Sequence, residues 1–176
     1  MTGCLTSPDP EASYPLAAQD DHPYFKIYSD VSRTVDVIHN FESKIQVGIT
    51  HLTPEFRQAM AERYEHIFHE SQASLAEAGN KTGFFVSLYA ANRELADLAD
   101  KQLWNVTLDG GGKQKLNPTA IQRLSPKERW GPFFPSINPW SQDFLVLFDL
   151  PPPSGGGKQG VIFTLSSPDG SVRTEW

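Results

Sequence analysis

The chain has 176 residues, of which 39% are hydrophobic and 20% charged, and its formal net charge is −6. This length fits one globular domain, which can bury about 70% of the surface of the unfolded chain. The charge is modest and no basic run is interleaved with aromatics, which argues against nucleic acid as a partner. A single cysteine excludes an internal disulfide and a Cys-rich zinc site, and no apolar run has the length needed to span a bilayer.

The only cysteine stands in the first four residues, Met1-Thr2-Gly3-Cys4. They resemble the lipobox of bacterial lipoproteins, in which Leu and two small residues precede the cysteine that is acylated. The resemblance implies a small lipoprotein of the bacterial cell envelope, tied to the membrane by lipid on Cys4. Leu5 resembles the outer-membrane sorting pattern, so we expect the protein on the outer membrane facing the periplasm. Two alternatives are an ordinary cysteine in a soluble cytoplasmic protein, if the start at Met1 is genuine, and a start codon further upstream.

Residues 5–23 are rich in Pro, Ser, Ala and Asp and have no apolar periodicity. Such a composition cannot bury enough surface to offset the entropy of ordering, and it is typical of a flexible spacer. The sequence therefore predicts a lipid-anchor site and tether over 1–23 and a single domain over 24–176.

Three strands are predicted at the start of the domain, at residues 24–28, 33–41 and 44–51. The second run alternates with Val35, Val37, His39 and Phe41 on one face, and the third alternates through its Ile and Val residues. Only Glu42 and Ser43 separate these two runs, which predicts a hairpin.

A long helix is predicted over residues 54–78. Thr53 is suited to the N-cap, Pro54 to the first helical position and Glu55 to the first turn. The pair Gly79-Asn80 is a typical helix end. One apolar side of this helix is expected to lie on the sheet, formed by Phe56, Met60, Tyr64, Ile67, Ser71 and Leu75.

The remaining signals are mostly strands, with a helical turn in the connector 92–101 and a one-turn helix opened by the Ser-x-x-Glu capping-box pattern at 125–128. The strand signals lie at 83–91, 103–109, 115–124, 143–150, 161–166 and 172–176. Eight or nine short strands predict a mainly β fold, an antiparallel β-sandwich of the immunoglobulin-like kind, with the long helix inserted after the third strand. The alternative is a two-layer α+β arrangement with that helix on one face of a single sheet.

Two groups of histidines could carry chemistry. Glu62, His66 and His69 form one stripe of the predicted helix, a spacing that can place a carboxylate and two imidazoles around a metal. The stripe lies opposite the apolar side, so a solvated surface explains it better and we predict no metal there. His39 and His51 share the apolar parity of neighbouring strands. They could form a base or a pH switch, but core histidines with backbone partners are the commoner case.

The pentapeptide Gly-Gly-Gly-Lys-Gln occurs at residues 110–114 and again at 155–159. A phosphate-binding loop would need Ser or Thr after the Lys and a following helix. Both copies instead stand between predicted strands, so flexible hairpin loops are favoured.

Residues 130–140 read WGPFFPSINPW, with five aromatics and three prolines. Rigid aromatic loops bind sugar rings, peptides or apolar surfaces with little loss of entropy. The commoner explanation is that the segment packs Phe133, Phe134 and Trp140 over an open end of the domain. The binding hypothesis depends on Trp130, Phe133, Phe134, Ile137 and Trp140.

Two functions remain open. The favoured one is a non-enzymatic, lipid-anchored envelope protein without a cofactor, which binds or scaffolds a protein or glycan through the aromatic loop or a sheet edge. The competing one is a metal-dependent hydrolase that uses His66 and His69, or His39 and His51.

Overall fold

A computed structural model describes residues 22–70, 79–110, 115–152 and 160–176. Within these ranges the protein is mainly β, with eight strands and three α-helices, and a 3₁₀ turn spans Arg93–Ala96. The helices are α1 (His22–Val31), α2 (Pro54–Phe68) and α3 (Lys127–Trp130). The strands are β1 (Ser32–His39), β2 (Glu42–His51), β3 (Thr82–Ala90), β4 (Asn105–Asp109), β5 (Ala120–Leu124), β6 (Gln142–Phe148), β7 (Ile162–Ser167) and β8 (Gly170–Glu175).

The strands form two antiparallel sheets. The larger has the order β1-β2-β3-β6-β5 and the smaller the order β4-β7-β8. The prediction of a mainly β, antiparallel fold is confirmed. The alternative of a single sheet is wrong, because the described strands divide between two.

One hydrophobic cluster joins the two sheets. Alternate residues of β2 and β3, such as Val47 and Phe84, pack in the same cluster as Val106 of β4 and Phe163 of β7. The rings of Phe84 and Phe163 lie 4.6 Å apart between their centroids. Because this period-two alternation buries one face of each sheet, the sheets share a core.

A second cluster covers the other face of the larger sheet. Phe56, Met60 and Tyr64 of α2 pack there with Phe85 of β3 and Leu145 of β6. Phe134, from the aromatic segment, stacks on Phe85 at 3.6 Å between ring centroids. The apolar side predicted for the long helix is therefore confirmed over the described residues.

The hairpin predicted early in the domain is present as β1 and β2, but its turn is not where we expected it. Asn40 and Phe41 form the turn, with φ of 53° and 63°, and Glu42 and Ser43 already belong to β2. Phe41 is fully exposed. Assigning it to the apolar face was wrong, because a turn residue follows neither face of the strands.

The segment 24–28, predicted as a strand, lies in α1, so this prediction is wrong. The apolar residues Tyr24, Ile27, Tyr28 and Val31 recur at the three- and four-residue spacing of a helix. Tyr24 is buried, and its hydroxyl donates a hydrogen bond to the carbonyl of Phe133 at 2.9 Å. As a consequence, the long helix follows the second strand and not the third.

The start of α2 is as predicted, but its end is not. Thr53 is the N-cap, and its hydroxyl accepts a hydrogen bond from the amide of Phe56 at 3.2 Å. The helix stops at Phe68, because His69 adopts a left-handed conformation with φ of 54° and its amide donates to the carbonyl of Glu65. The prediction that this helix continues to residue 78 is therefore wrong, because the helix already ends before His69. Residues 71–78 lie outside the described part of the chain.

The strand predicted at 115–124 is wrong over its first half, because β5 begins only at Ala120. The other elements agree in position with the sequence to within two residues at their ends. The connector carries the expected helical turn, and β7 and β8 flank the tight turn at Pro168 and Asp169. The short helix α3 is present, but its N-cap is Pro126 and no side chain caps it. The capping box predicted there is wrong.

Candidate functional site

The aromatic segment 130–140 is divided between the interior and the surface. Trp130, Phe133 and Phe134 are buried, and Phe133 stacks on Tyr64 of α2 at 5.7 Å. Ile137 is half-buried, whereas Trp140 is 75% exposed. Of the five residues in the binding hypothesis, only Trp140 presents most of its side chain to solvent.

The backbone that carries Trp140 is held by several hydrogen bonds. The Asn138 side-chain oxygen accepts from the amides of Trp140 at 2.9 Å and Ser141 at 2.8 Å. The ammonium of Lys127 donates to the carbonyls of Asn138 at 3.1 Å and Pro139 at 3.0 Å. Proline further restricts the chain at 139. Trp140 is thus an exposed aromatic on a constrained backbone, which lowers the entropy lost on binding.

Trp140 borders an open groove of about 720 Å³. Its walls come from the end of β3, the following 3₁₀ turn, β5 and the start of β6. They comprise Tyr89, Ala90, Ala91, Arg93, Ala96, Asp97, Arg123, Pro139, Trp140 and Gln142. The groove contains two guanidinium groups, a carboxylate, a side-chain amide and two aromatic rings. These groups can stack on a ring of a ligand and can both donate and accept hydrogen bonds.

A buried polar cluster, which the sequence did not predict, lies beneath the same segment. The Ser87 hydroxyl donates to the carbonyl of Ser136 at 3.2 Å, and the Ser141 hydroxyl donates to an Asp143 carboxylate oxygen at 3.2 Å. The second Asp143 oxygen and the Ser136 hydroxyl have no partner in the described residues. Burial raises the pKa of Asp143 above its ordinary value. A smaller cavity of about 380 Å³, lined in part by Gly48, Ser87 and Ser136, adjoins this cluster.

A sequence signal for that cluster exists. Ser87 and Asp143 are paired across β3 and β6 and interrupt otherwise apolar strands. Their location under the aromatic segment depends on the fold and could not be read from either strand alone.

The structure does not bring His39 and His51 together. His39 lies opposite Glu42 in the register of β1 and β2, beside the hairpin turn, whereas His51 lies at the other end of β2. Nine residue steps along a strand separate these positions by about 30 Å. The hypothesis of a paired histidine base or switch is therefore wrong.

His51 is nevertheless unusual, because it is 1% exposed and neither ring nitrogen has a hydrogen-bond partner in the described structure. Its ring stacks on Phe84 at 4.7 Å and meets the edge of Trp176 at 5.8 Å. Burial, assisted by the positive charge of Arg57, lowers the pKa of His51 to about 4. The expected backbone partner of a core histidine is absent here.

Glu62, His66 and His69 are exposed on α2 and at its end, and Glu62 accepts a hydrogen bond from Gln58. Within the described ranges, no group of three or more His, Cys, Asp or Glu side chains is arranged to hold a metal ion. Glu70, beside this stripe, instead pairs with Arg129 at 3.1 Å on the surface.

Several sequence predictions lie outside the described residues. They are the lipid-attachment residue Cys4, the tether up to residue 21, the second Gly-Gly-Gly-Lys-Gln copy at 155–159, and all of the first copy except Gly110. In the part of the chain that is described, none of the helices combines the length and apolar character that crossing a bilayer requires.

Comparisons with known proteins gave no family: no protein-family model, no curated protein and no solved structure significantly matches the chain.

Proposed function

We propose that this protein is a lipid-anchored, non-enzymatic binding module of the bacterial cell envelope, attached to the outer membrane through Cys4 and facing the periplasm. Its partner is an envelope protein or glycan, which it contacts with Trp140 and the adjoining groove. The lipobox-like start and the spacer composition support the location, and the exposed tryptophan supports the binding role.

The fold that we propose for this module is an immunoglobulin-like β-sandwich. In the constant-type immunoglobulin fold, strands A-B-E-D form one sheet and C-F-G the other. With β2 taken as strand A, the order β2-β3-β6-β5 reproduces the first sheet and β4-β7-β8 the second. On this reading, β1 is an additional strand beside A, and α2 is an insertion between A and B. The Phe84–Phe163 contact stands between strands B and F, where antibody domains have their disulfide.

The observation that carries the binding proposal is the exposure of Trp140 in a segment whose other large aromatics are buried. Tryptophan is enriched at the energetic centres of interfaces, and an aromatic on a constrained backbone binds with a small entropy cost. Tyr89, Arg93 and Arg123 lie in the same groove and can add stacking and hydrogen bonds to a partner.

The test is capture of partners by the immobilised full chain. Detergent-solubilised envelope proteins and purified peptidoglycan fragments are offered separately to the parent, to Trp140→Ala and to Phe41→Gly. Because a well-packed interface tryptophan contributes 2 kcal/mol or more, we expect Trp140→Ala to reduce capture of one ligand class by more than about tenfold.

Phe41→Gly is the matched control, since it removes another exposed aromatic outside the groove, and capture should be unchanged. Trp140→Ala should unfold in urea within about 0.5 kcal/mol of the parent, because an exposed side chain contributes little to folding. Equal capture by the parent and Trp140→Ala would refute the groove as the binding site.

A further inference from the structure

The tip of the β1–β2 hairpin places a large aromatic residue in an unfavourable backbone conformation. Asn40 and Phe41 both have positive φ, which is the geometry of the two-residue turn that usually takes Asn followed by Gly. A bulky residue at positive φ is strained, and such strain is a reason to ask about function. Phe41 is fully exposed, so no packing within the described residues offsets that cost.

A second apolar side chain stands beside it. Ile38 is 64% exposed, and the register of β1 against β2 shifts between Val37 and Ile38. Ile38 follows the exposed parity of Thr34 and Asp36 along β1, so regular alternation itself places this apolar side chain toward solvent. The neighbouring residues of the turn are exposed and polar, which leaves two apolar groups projecting from a polar hairpin tip.

We propose that this hairpin tip, formed by Ile38 and Phe41 with the turn between them, inserts into the interfacial region of a phospholipid bilayer. A protein interface requires roughly 800 Å² of complementary surface on each side, far more than two side chains on a turn provide. A bilayer interface accepts apolar and aromatic side chains without a shaped pocket, while the polar neighbours remain among the headgroups.

Trp140 lies toward the same end of the domain as the hairpin tip. The amide of Ala91 donates to the carbonyl of Lys44, close to the tip, and Ala91 lines the same groove as Trp140. The three large apolar side chains that are exposed in the described residues, Ile38, Phe41 and Trp140, therefore lie at one end of the domain. The insertion that we propose involves Ile38 and Phe41, and Trp140 remains available to the partner-binding groove.

The tip does not carry the charge expected of a site for anionic lipids. Lys44, the nearest cation, pairs with Glu42 at 2.6 Å, and the whole chain has a net charge of −6. We therefore expect insertion into neutral phospholipid with little dependence on salt. The inference relies on the proposed lipid attachment only for its setting. The eighteen residue steps from Cys4 to His22 span at most about 60 Å when fully extended, which is enough to let this end face the bilayer.

The first experiment reports where residue 41 lies. Cys4 is the only cysteine, so Cys4→Ser combined with Phe41→Cys gives the full chain a single thiol for an environment-sensitive fluorophore. Vesicles of phosphatidylcholine should shift the emission to the blue, and brominated phosphatidylcholine should quench it. The matched control labels Glu55→Cys, an exposed residue at the start of α2 near the other end of β2, where no change is expected.

The second experiment separates lipid contact from folding. In the Cys4→Ser chain, Phe41→Gly should raise stability toward urea, because glycine suits the turn, and yet weaken binding to the same vesicles by about tenfold. Phe41→Trp should retain vesicle binding. Opposite movements of stability and vesicle binding cannot arise from unfolding.

Three results would overturn the proposal. They are an unchanged emission at residue 41 with vesicles, equal vesicle binding by Phe41→Gly and the parent, and a blue shift without vesicles that grows with protein concentration. The last result would identify a second copy of the chain as the occupant. The partner-capture test of Trp140→Ala is done without vesicles, so its failure is distinguishable from failure of the vesicle assay.

Discussion

At the scale of single residues, His51 shows how burial sets the charge state of a side chain. Its imidazole is enclosed by the rings of Phe84 and Trp176 and forms no hydrogen bond with the described residues. The charged form would lose its hydration without gaining a partner, so the neutral form is strongly favoured in the folded protein.

This burial makes the stability depend on pH in one direction. The pKa of His51 is about 4 in the folded protein and about 6.5 in the unfolded chain. Between these values the unfolded chain binds more protons, so stability falls as the pH falls from about 6.5 to about 4, by up to about 3 kcal/mol. Urea unfolding at pH 7, 5.5 and 4.5 measures the loss.

His51→Phe should remove this contribution, so that the difference in stability between the parent and the variant changes across the window. A constant difference between the parent and His51→Phe at all three pH values would contradict the assignment.

At the scale of elements, a glycine allows the aromatic segment to lie close to the larger sheet. A methyl group added at Gly48 of β2 would overlap the Ser136 side chain, with its Oγ only 2.6 Å away. The close approach therefore requires the absence of a side chain at this position.

We expect Gly48→Ala to destabilise the protein by about 1–3 kcal/mol, because the segment must move away from the sheet. Adding Ser136→Gly should restore most of the loss in urea unfolding. Gly131→Ala is the control: its added methyl group finds its nearest neighbour at 3.7 Å, and the backbone there is already helical. A Gly48→Ala loss that Ser136→Gly fails to reduce would argue against this contact.

Some of the helices, strands and turns could be predicted from the sequence and others could not. The alternating strand β2 and the capped start of α2 were predictable because their signals are local. Tyr24 and Phe41 were misassigned, since a short aromatic run fits both a strand and a helix, and an apolar residue can occupy a turn. The helix end at His69 has no glycine to indicate it.

The candidate site was predictable only in part. The aromatic segment was found by composition, but which of its rings would be exposed depends on contacts with α2 and β3. Phe134 is buried because it stacks on Phe85, some fifty residues earlier. The close contact between Ser136 and Gly48 and the lack of a hydrogen-bond partner for His51 in the described residues also result from long-range packing.

At the scale of the whole molecule, Trp176 connects three parts of the domain. Its indole NH donates to the carbonyl of Val31 at 2.7 Å, where α1 passes into β1. Its ring contacts His51 of β2 and Phe84 of β3, and the guanidinium of Arg33 lies 5.6 Å from its centroid. One side chain thus joins the helix layer, the larger sheet and the strand β8 that precedes it.

Two substitutions separate the hydrogen bond of Trp176 from its packing. Trp176→Phe should cost about 1 kcal/mol for the lost bond, and Trp176→Ala about 3–5 kcal/mol for the lost ring. Urea unfolding measures both losses. Glu175→Ala, an exposed neighbour, is the control and should be nearly neutral. Equal losses in the two tryptophan variants would indicate that the ring contributes little.

The Val31–Trp176 hydrogen bond also has a mechanical consequence. A pull applied along the chain at His22 first meets the buried Tyr24 and its hydrogen bond to Phe133. Once α1 is displaced, the pull would reach the α1–β1 junction and peel β1 from β2 one hydrogen bond at a time. The indole of Trp176 holds that junction from the opposite sheet, so the load passes to β8 and the shared core before β1 can open. The hydrogen bond of Trp176 would therefore delay the separation of β1 from β2 under such a pull.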